Sequence, residues 1–208
     1  MDTRQWCPAQ VFTRSTERND RHRRGLGAMA LINVIYSLAF AYGPGDARVM
    51  AKPYRAGWGV RASNAWMRTV LRAGLPMWSF RVLGVPGRRT GRTIETPLAV
   101  FEQDGRRYLV ASYGTVNWVR NLRAADGKVT LRHGRHVETV TAVELPTEHA
   151  AWVFRAALVS GPPRVPKPIV ALYRRFFVLP YLDVGPDSSP RQFLVNARTH
   201  PVFEIISA

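Results

Sequence analysis

The residues that could do chemistry gather in two short stretches. The first, VLGVPGRRTGRTIETPLAV (Val82–Val100), carries Arg88, Arg89 and Arg92 within five residues of one turn. Gly87 and Gly91 bracket Arg88-Arg89-Thr90, and glycines allow positive φ and a close approach of backbone N–H groups to a ligand. Like charges at that density repel, so an external anion is the simplest thing to hold them together. Guanidinium forks suit phosphate and carboxylate oxygens. The alternative is an exposed hairpin bend that is merely basic.

The second stretch, ASYGTVNWVRNL (Ala111–Leu122), runs off an apolar strand through Ser112 and Gly114 into a helix N-terminus. Free N–H groups there favour anions or electron-rich ring atoms. Trp118 and Leu122 face the core in this reading, and Asn121 and Arg123 bring further donors. Hairpin order places the loop near the start of Thr96–Glu102, beside the arginine turn. The two stretches together would make one cleft with a basic mouth and an amide-lined floor.

Other chemistries find no support. The sequence has no GxSxG nucleophile elbow and no GxxxxGK[ST] phosphate loop. Gly25–Ala30 and Gly57–Ala62 fit GxGxxA, but neither follows a strand-like run, so the dinucleotide motif lacks its physical basis. His133 and His136 flank a hairpin turn; two imidazoles without a third ligand make a poor metal site, and solvated turn residues are the better reading. No metal is expected. Cys7 is the only cysteine, which excludes an internal disulfide and fits a reducing compartment. With no evident general acid, nucleophile or metal, an enzyme built this way would rely on a bound cofactor.

The elements that must position these residues show in the periodicity. Ser63–Leu75 reads as a helix capped by Ser63, with Trp66, Val70 and Leu71 on one face and Gly74 and Pro76 at its end. From Trp78 the period becomes two. Thr96–Glu102 and Arg106–Ser112 form a hairpin turning on Asp104-Gly105, and Lys128–His133 and His136–Leu145 a second turning at Gly134-Arg135. Thr115–Ala125 reads as a short helix. Thr147–Gly161 reads as a longer one, capped by Thr147, with Ala151, Phe154, Arg155 and Leu158 in register. Pro162, Pro163, Pro166 and Pro168 break the segment after it, Ser188-Ser189 opens a last helix, and HPVFEII is a final strand. About six mostly antiparallel strands with interspersed helices give an α+β class, and closing the sheet into a small barrel would remove its edges.

The chain has 208 residues, 46% of them hydrophobic, enough for one core. The organisation expected is an N-terminal extension over 1–60 and a folded domain over 61–208. Within the extension, 1–27 is polar and charged, Ala28–Gly43 is an uncharged apolar run, and Tyr42–Gly59 is a Gly- and Pro-bearing linker. The run is short for a bilayer span, which takes about 20 residues. With its basic flank and Ala39–Ala41 it imitates a signal peptide; a membrane-surface helix, or sequence upstream of a later start at Met29, Met50 or Met67, fits it better. The formal charge of +16, carried almost wholly by arginine, reads as a solvated basic surface or as a site for an anionic partner: nucleic acid, acidic lipid or a phosphorylated small molecule.

The run GRRTGRTIETPLAVFEQDGRRYLVASYG…NWVRNLRAA resembles the deazaflavin-dependent nitroreductase family of actinobacteria. Four motifs recur in order: the Gly-Arg-Arg-Thr-Gly turn, Thr-Pro-Leu on the next strand, Ala-Ser-x-Gly, and Trp-x-x-Asn-Leu, over roughly 70–145. The resemblance implies a split β-barrel related to flavin mononucleotide (FMN)-binding barrels, here six-stranded and followed by a C-terminal helical extension that this chain's own pattern suggests. It implies the deazaflavin coenzyme F420, whose lactyl phosphate and oligoglutamate tail are polyanionic. Arg88, Arg89, Thr90 and Gly91 would hold that tail, with Arg92 standing in for an arginine that members often carry at Ile94. Pro97 and Leu98 would line the deazaflavin, Ala111, Ser112, Tyr113 and Gly114 would present backbone donors, and Trp118 and Asn121 would buttress the loop. The segment from Gly114 to Trp118 is shorter than in the nitroreductases, Val119 replaces their Tyr, and the C-terminal part differs.

The activity implied is hydride transfer between reduced F420 and a small organic acceptor: a quinone, an enone or a nitroaromatic. Ser112 or Tyr113 would orient the acceptor; Tyr173 and Tyr181 would cover the pocket, core packing being their plainer reading. An FMN oxidoreductase on the same barrel and a basic nucleic-acid binder are the rivals, the second lacking any binding module. A cytoplasmic protein, in peripheral contact with the inner face of the membrane if the apolar run lies on it, is the expected setting. A homodimer stays open.

Overall fold

In a computed structural model of the chain, residues 57–207 are described, apart from 76, 78 and 162–164. The apolar run Ala28–Gly43 and most of the expected linker lie outside them. Helix α1 (Trp58–Arg72) begins five residues before Ser63 and has no side-chain cap. Its buried face is Met67, Val70 and Leu71, while Trp66 turns outward, 38% exposed. The helical period therefore holds, but its apolar stripe lies one residue beyond the tryptophan. Gly74, at φ +75°, donates to the Leu71 carbonyl and ends the helix where expected.

Six strands come next: β1 (Phe80–Pro86), β2 (Thr93–Gln103), β3 (Arg106–Val110), β4 (Lys128–His133), β5 (His136–Glu144) and β6 (Val202–Ser207). They close into a barrel in the order β1-β2-β3-β6-β5-β4, every pair antiparallel. Closure gives every strand two neighbours, although β2 meets β3 only over Val100–Gln103. Asp104 and Gly105 both take positive φ, the mirror-image turn that suits strand twist. At the β4–β5 tip, Gly134 at φ +60° donates to the Leu71 carbonyl at 2.7 Å, so the hairpin seals the end of α1. His136 is exposed, but His133 is half-buried with Nε2 enclosed, unlike the solvated turn residue expected.

The barrel interior holds Leu83, Val85, Val100, Leu109, Leu131 and Phe203. Helix α2 (Asn117–Ala124) drops Val119 and Leu122 into that cluster and plugs one end. A second apolar layer packs α3 (Thr147–Ser160) and α5 (Pro190–Ala197) on the outside of β2 and β3, through Phe154, Phe193, Phe101 and Tyr108. Pro146 precedes α3, Thr147 makes no cap, and Arg155 is exposed rather than in register with the buried face. Ser189 and Gln192 form a reciprocal capping box at α5. The proline-rich segment does not simply break structure. It carries α4 (Lys167–Tyr173), a π turn (Arg174–Val178) and a 3-10 turn (Leu179–Tyr181), a strap that packs across the face of the barrel.

Ion pairs stitch the outside: Arg107 meets Glu138 through two bonds of 2.6 and 2.7 Å, bridging β3 to β5 across β6. His200 is buried, with Nδ1 2.9 Å from Thr199 Oγ1 and 3.2 Å from the Asn196 carbonyl. Burial lowers its pKa, against backbone hydrogen bonds at Asn196 and Tyr181. Below the ordinary imidazole value of ~6.5 the unfolded chain takes up a proton that folded His200 refuses, so stability falls as pH drops and is flat above that value. Urea unfolding at about pH 7.5 and about pH 5.5 should show this loss, and His200→Gln should shrink it.

Candidate functional site

Strands β2 and β3 pair only as far as Val100–Leu109, and beyond that point they part. Residues 93–99 of β2 then pair with β1 alone, which leaves one edge open. Pro97 sits on this stretch, where a missing N–H costs no second ladder. The parted strands open a cavity of about 550 Å³. Its walls are Thr96–Ala99 of β2, the loop from Ser112 to Val116, and Asn117, Trp118 and Arg120 of α2. Leu158 of α3, Val170, Tyr173 and Arg174 of the strap, and Asn64 of α1 complete it. That size and its largely apolar lining suit a small-molecule site.

The loop is held from behind. Gly114, at φ +71°, would bring a Cβ to 3.3 Å from the Thr199 carbonyl, so any other residue would strain the backbone and crowd that oxygen. The amide of Ala111 donates to Pro201, that of Ser112 to Val110, and that of Gly114 to Ala111. These three donors already have acceptors within the protein, and the Ser112 side chain lines the cavity beside them. The first turn of α2 has neither a side-chain cap nor an acidic residue. Trp118 is pinned edge-on against Phe203, with ring centroids 5.8 Å apart.

The arginine turn joins β1 to β2. Gly87 donates to Arg92 at 2.9 Å and accepts from Gly91 at 2.8 Å, with Gly91 at φ +67°. Arg88 Nη1 donates to Asn121 Oδ1 at 2.7 Å, and its backbone N–H approaches the same oxygen at 3.4 Å. Asn121 is 2% exposed, so α2 and the turn are locked together. Arg72, Arg106, Arg107 and Arg123 each pair with a glutamate. Among the described residues Arg89, Arg92 and Arg120 form no ion pair, and all three are exposed. A cavity with apolar residues and Arg120 in its lining, on the helix that holds the arginine turn, suits a ligand with an apolar ring and an anionic tail.

Of the residues singled out in the sequence, the cavity gathers Pro97, Leu98, Ser112, Tyr113, Trp118 and Tyr173. Arg88, Arg89, Thr90, Gly91 and Arg92 stand on the turn tethered by Asn121. Ala111 and Gly114 are buried in the loop. Tyr181 supports Tyr113 edge-to-face, centroids 5.2 Å apart, and does not line the cavity. Arg120, Asn64 and Arg174 escaped the sequence reading. Arg120 could have been found two residues after Trp118 on an uncapped helix start; Asn64 and Arg174 reach the cavity only through tertiary packing. Arg174 Nη1 donates to the Leu158 carbonyl at 2.9 Å, tying the strap to the end of α3. Among the described lining residues there is no Asp, Glu, His, Lys or Cys.

A family model described as F420H(2)-dependent quinone reductase matches residues 58–163. A solved structure named as an F420-H2 dependent reductase (FDR-A) is 21% identical, covering 62% of this chain and 94% of its own, with a TM-score of 0.37. Another, described as a domain-swapped dimer, is 19% identical over 68% of this chain and 95% of its own, with a TM-score of 0.38. No curated protein matches the chain.

The Arg88–Asn121 bond predicts a coupled pair. Arg88→Ala and Asn121→Ala should each destabilise by about 1–3 kcal/mol in urea unfolding, and the double variant by clearly less than the sum. Full additivity would mean that the two side chains do not interact.

Proposed function

The chain belongs to the F420H(2)-dependent quinone reductase family, and from that membership we propose that its β2–α2 cavity is where reduced F420 meets its acceptor. The protein is an F420-dependent oxidoreductase acting on a small organic molecule. Reduced F420 supplies a hydride from its deazaflavin ring; the chain supplies orientation and a dry enclosure. The observation that supports the assignment is a cavity lined by apolar residues and Arg120 on α2, with the arginine turn tethered to the same helix through Arg88 and Asn121.

Arg89 and Arg92, with Thr90 and Gly91, hold the phosphate and glutamates of the tail. Arg88 keeps the turn in place through Asn121. Arg120 adds a cation at the cavity itself. Pro97, Leu98 and Trp118 flank the ring, Ser112 faces it with its hydroxyl, and Ala111 and Gly114 shape the loop. Tyr113 and Tyr173 face the acceptor, with Tyr181 holding Tyr113 in place.

A quinone is the acceptor favoured over an enone or a nitroaromatic by the family's description, and Leu158, Val170 and Val178 offer apolar contact to its ring. Among the described residues no helix is long and apolar enough to cross a membrane. Contact with a membrane surface, where such quinones dissolve, draws support from Trp58 and Trp66 on the outward face of the basic helix α1.

Steady-state oxidation of reduced F420 against a panel of quinones, enones and nitroaromatics tests the reaction; turnover with none of them would overturn it. The double variant Arg89→Ala/Arg92→Ala should bind F420 at least about tenfold more weakly, with unchanged thermal stability and a shallower salt dependence. Tighter quenching by FMN than by F420 would displace the cofactor assignment.

A further inference from the structure

Reducing a quinone takes a proton as well as a hydride. Hydride delivery leaves the hydroquinone monoanion, with the new charge on an oxygen. Arg120 and Arg174 in the lining can balance that charge, and completing the hydroquinone still takes a proton. The cavity is short of candidates. Among the described residues that line it, the titratable side chains are Tyr113, Tyr173, Arg120 and Arg174. Guanidiniums do not give up protons in proteins. The phenols remain.

The two phenols come from separate elements. Tyr113 follows Ser112 in the loop, and Tyr173 ends α4 in the strap. Both line the cavity and their side chains are hydrogen-bonded to each other. Each is also braced from outside: Tyr113 by the Tyr181 ring at 5.2 Å, Tyr173 by the Phe80 ring at 6.5 Å, both edge-to-face. The loop beneath Tyr113 rests on His200 through Gly114. Such bracing fixes two hydroxyls at one place in the cavity.

We propose that Tyr173 is the general acid for the acceptor and that Tyr113 is its proton relay. This rests on the assignment of the cavity as the reaction site. The quinone, reduced by the hydride that the family's activity supplies, becomes the monoanion. The Tyr173 O–H bond breaks as the hydroquinone O–H bond forms. The Tyr173 phenolate takes the proton of Tyr113, and Tyr113 is refilled from water. Two electrons and one proton arrive with the hydride, and the second proton comes from solvent through the pair.

Two influences act on Tyr173 in opposite senses. Burial pushes its phenol up, which keeps it protonated at neutral pH but makes it a weaker acid toward a hydroquinone anion. The bond from Tyr113 works the other way, favouring the Tyr173 phenolate, as a donor to that oxygen would. Tyr113 thus eases the moment at which Tyr173 has given its proton away.

The test uses the full chain as Tyr173→Phe, Tyr113→Phe and the double variant. Tyr173→Phe should lower kcat with quinone about 100-fold, leaving quinone KM and F420 Kd within roughly threefold. Its kcat should rise as pH falls, since solvent must then supply the proton, and a small buffer acid such as imidazolium should restore part of the rate. Tyr113→Phe should cost about tenfold alone and nothing further beside Tyr173→Phe. Without turnover, the ultraviolet phenolate band of F420-free protein should place Tyr173 above the ordinary phenol value of ~10, and higher still in Tyr113→Phe. Retained kcat, a loss confined to KM or F420 Kd, or an ordinary Tyr173 titration insensitive to Tyr113→Phe would overturn the relay. The titration decides even if no quinone is turned over, which separates failure of the relay from failure of the acceptor assignment.

Discussion

Asn121 Oδ1 accepts from Arg88 Nη1 at 2.7 Å, and the site depends on that contact. Without it, a basic hairpin bend and a helix start would be two unrelated surface features. Asn121 is buried on a helix that plugs the barrel, so its carbonyl oxygen would be costly to leave without a donor. Arg88 supplies that donor and is thereby committed to structure. The turn is fixed with Arg89 and Arg92 exposed, where an anion would relieve their mutual repulsion. In the proposed site one arginine of the cluster is structural, and the others would bind.

The barrel sets where this can happen. Antiparallel pairing holds β2 against β1 over Phe80–Pro86 and Thr93–Ala99, but against β3 only from Val100. The chain leaving β3 must turn away, and it does so through Ser112–Val116 into α2. The cavity is the space left by that divergence, and its walls end on strands and helices rather than on long loops. The strap closes it from the far side, tied down by Arg174 on the last carbonyls of α3 and by the aromatic contacts of Tyr173 and Tyr181. Family membership makes the protein an F420-dependent oxidoreductase, and this cavity is the place proposed for its chemistry.

Much of this was legible in the residues. Strict alternation and the Asp104-Gly105 and Gly134-Arg135 turns marked both later hairpins, because those turns need positive φ at glycine. The arginine turn and the Trp118–Leu122 segment were recognised as neighbours from hairpin order alone, though their joining through Arg88 and Asn121 was not. Other features depend on contacts between distant residues. The prolines at 166 and 168 looked like breakers, yet Pro168 sits in the first turn of α4, where its missing N–H does no harm. The amides of Ala111, Ser112 and Gly114 looked available, but only the fold reveals their internal acceptors. The i, i+4, i+5 spacing puts Trp66 on one face with Val70 and Leu71, while in the fold Met67 next to it takes the buried place.

A crystal structure of the complex with F420 tests the central claim most directly. The account predicts the phosphate and glutamate tail against Arg89 and Arg92, with the ring lying along Pro97 and Leu98 beside Trp118. A tail seated away from the turn, with the Arg88–Asn121 bond intact and the turn facing solvent, would contradict it.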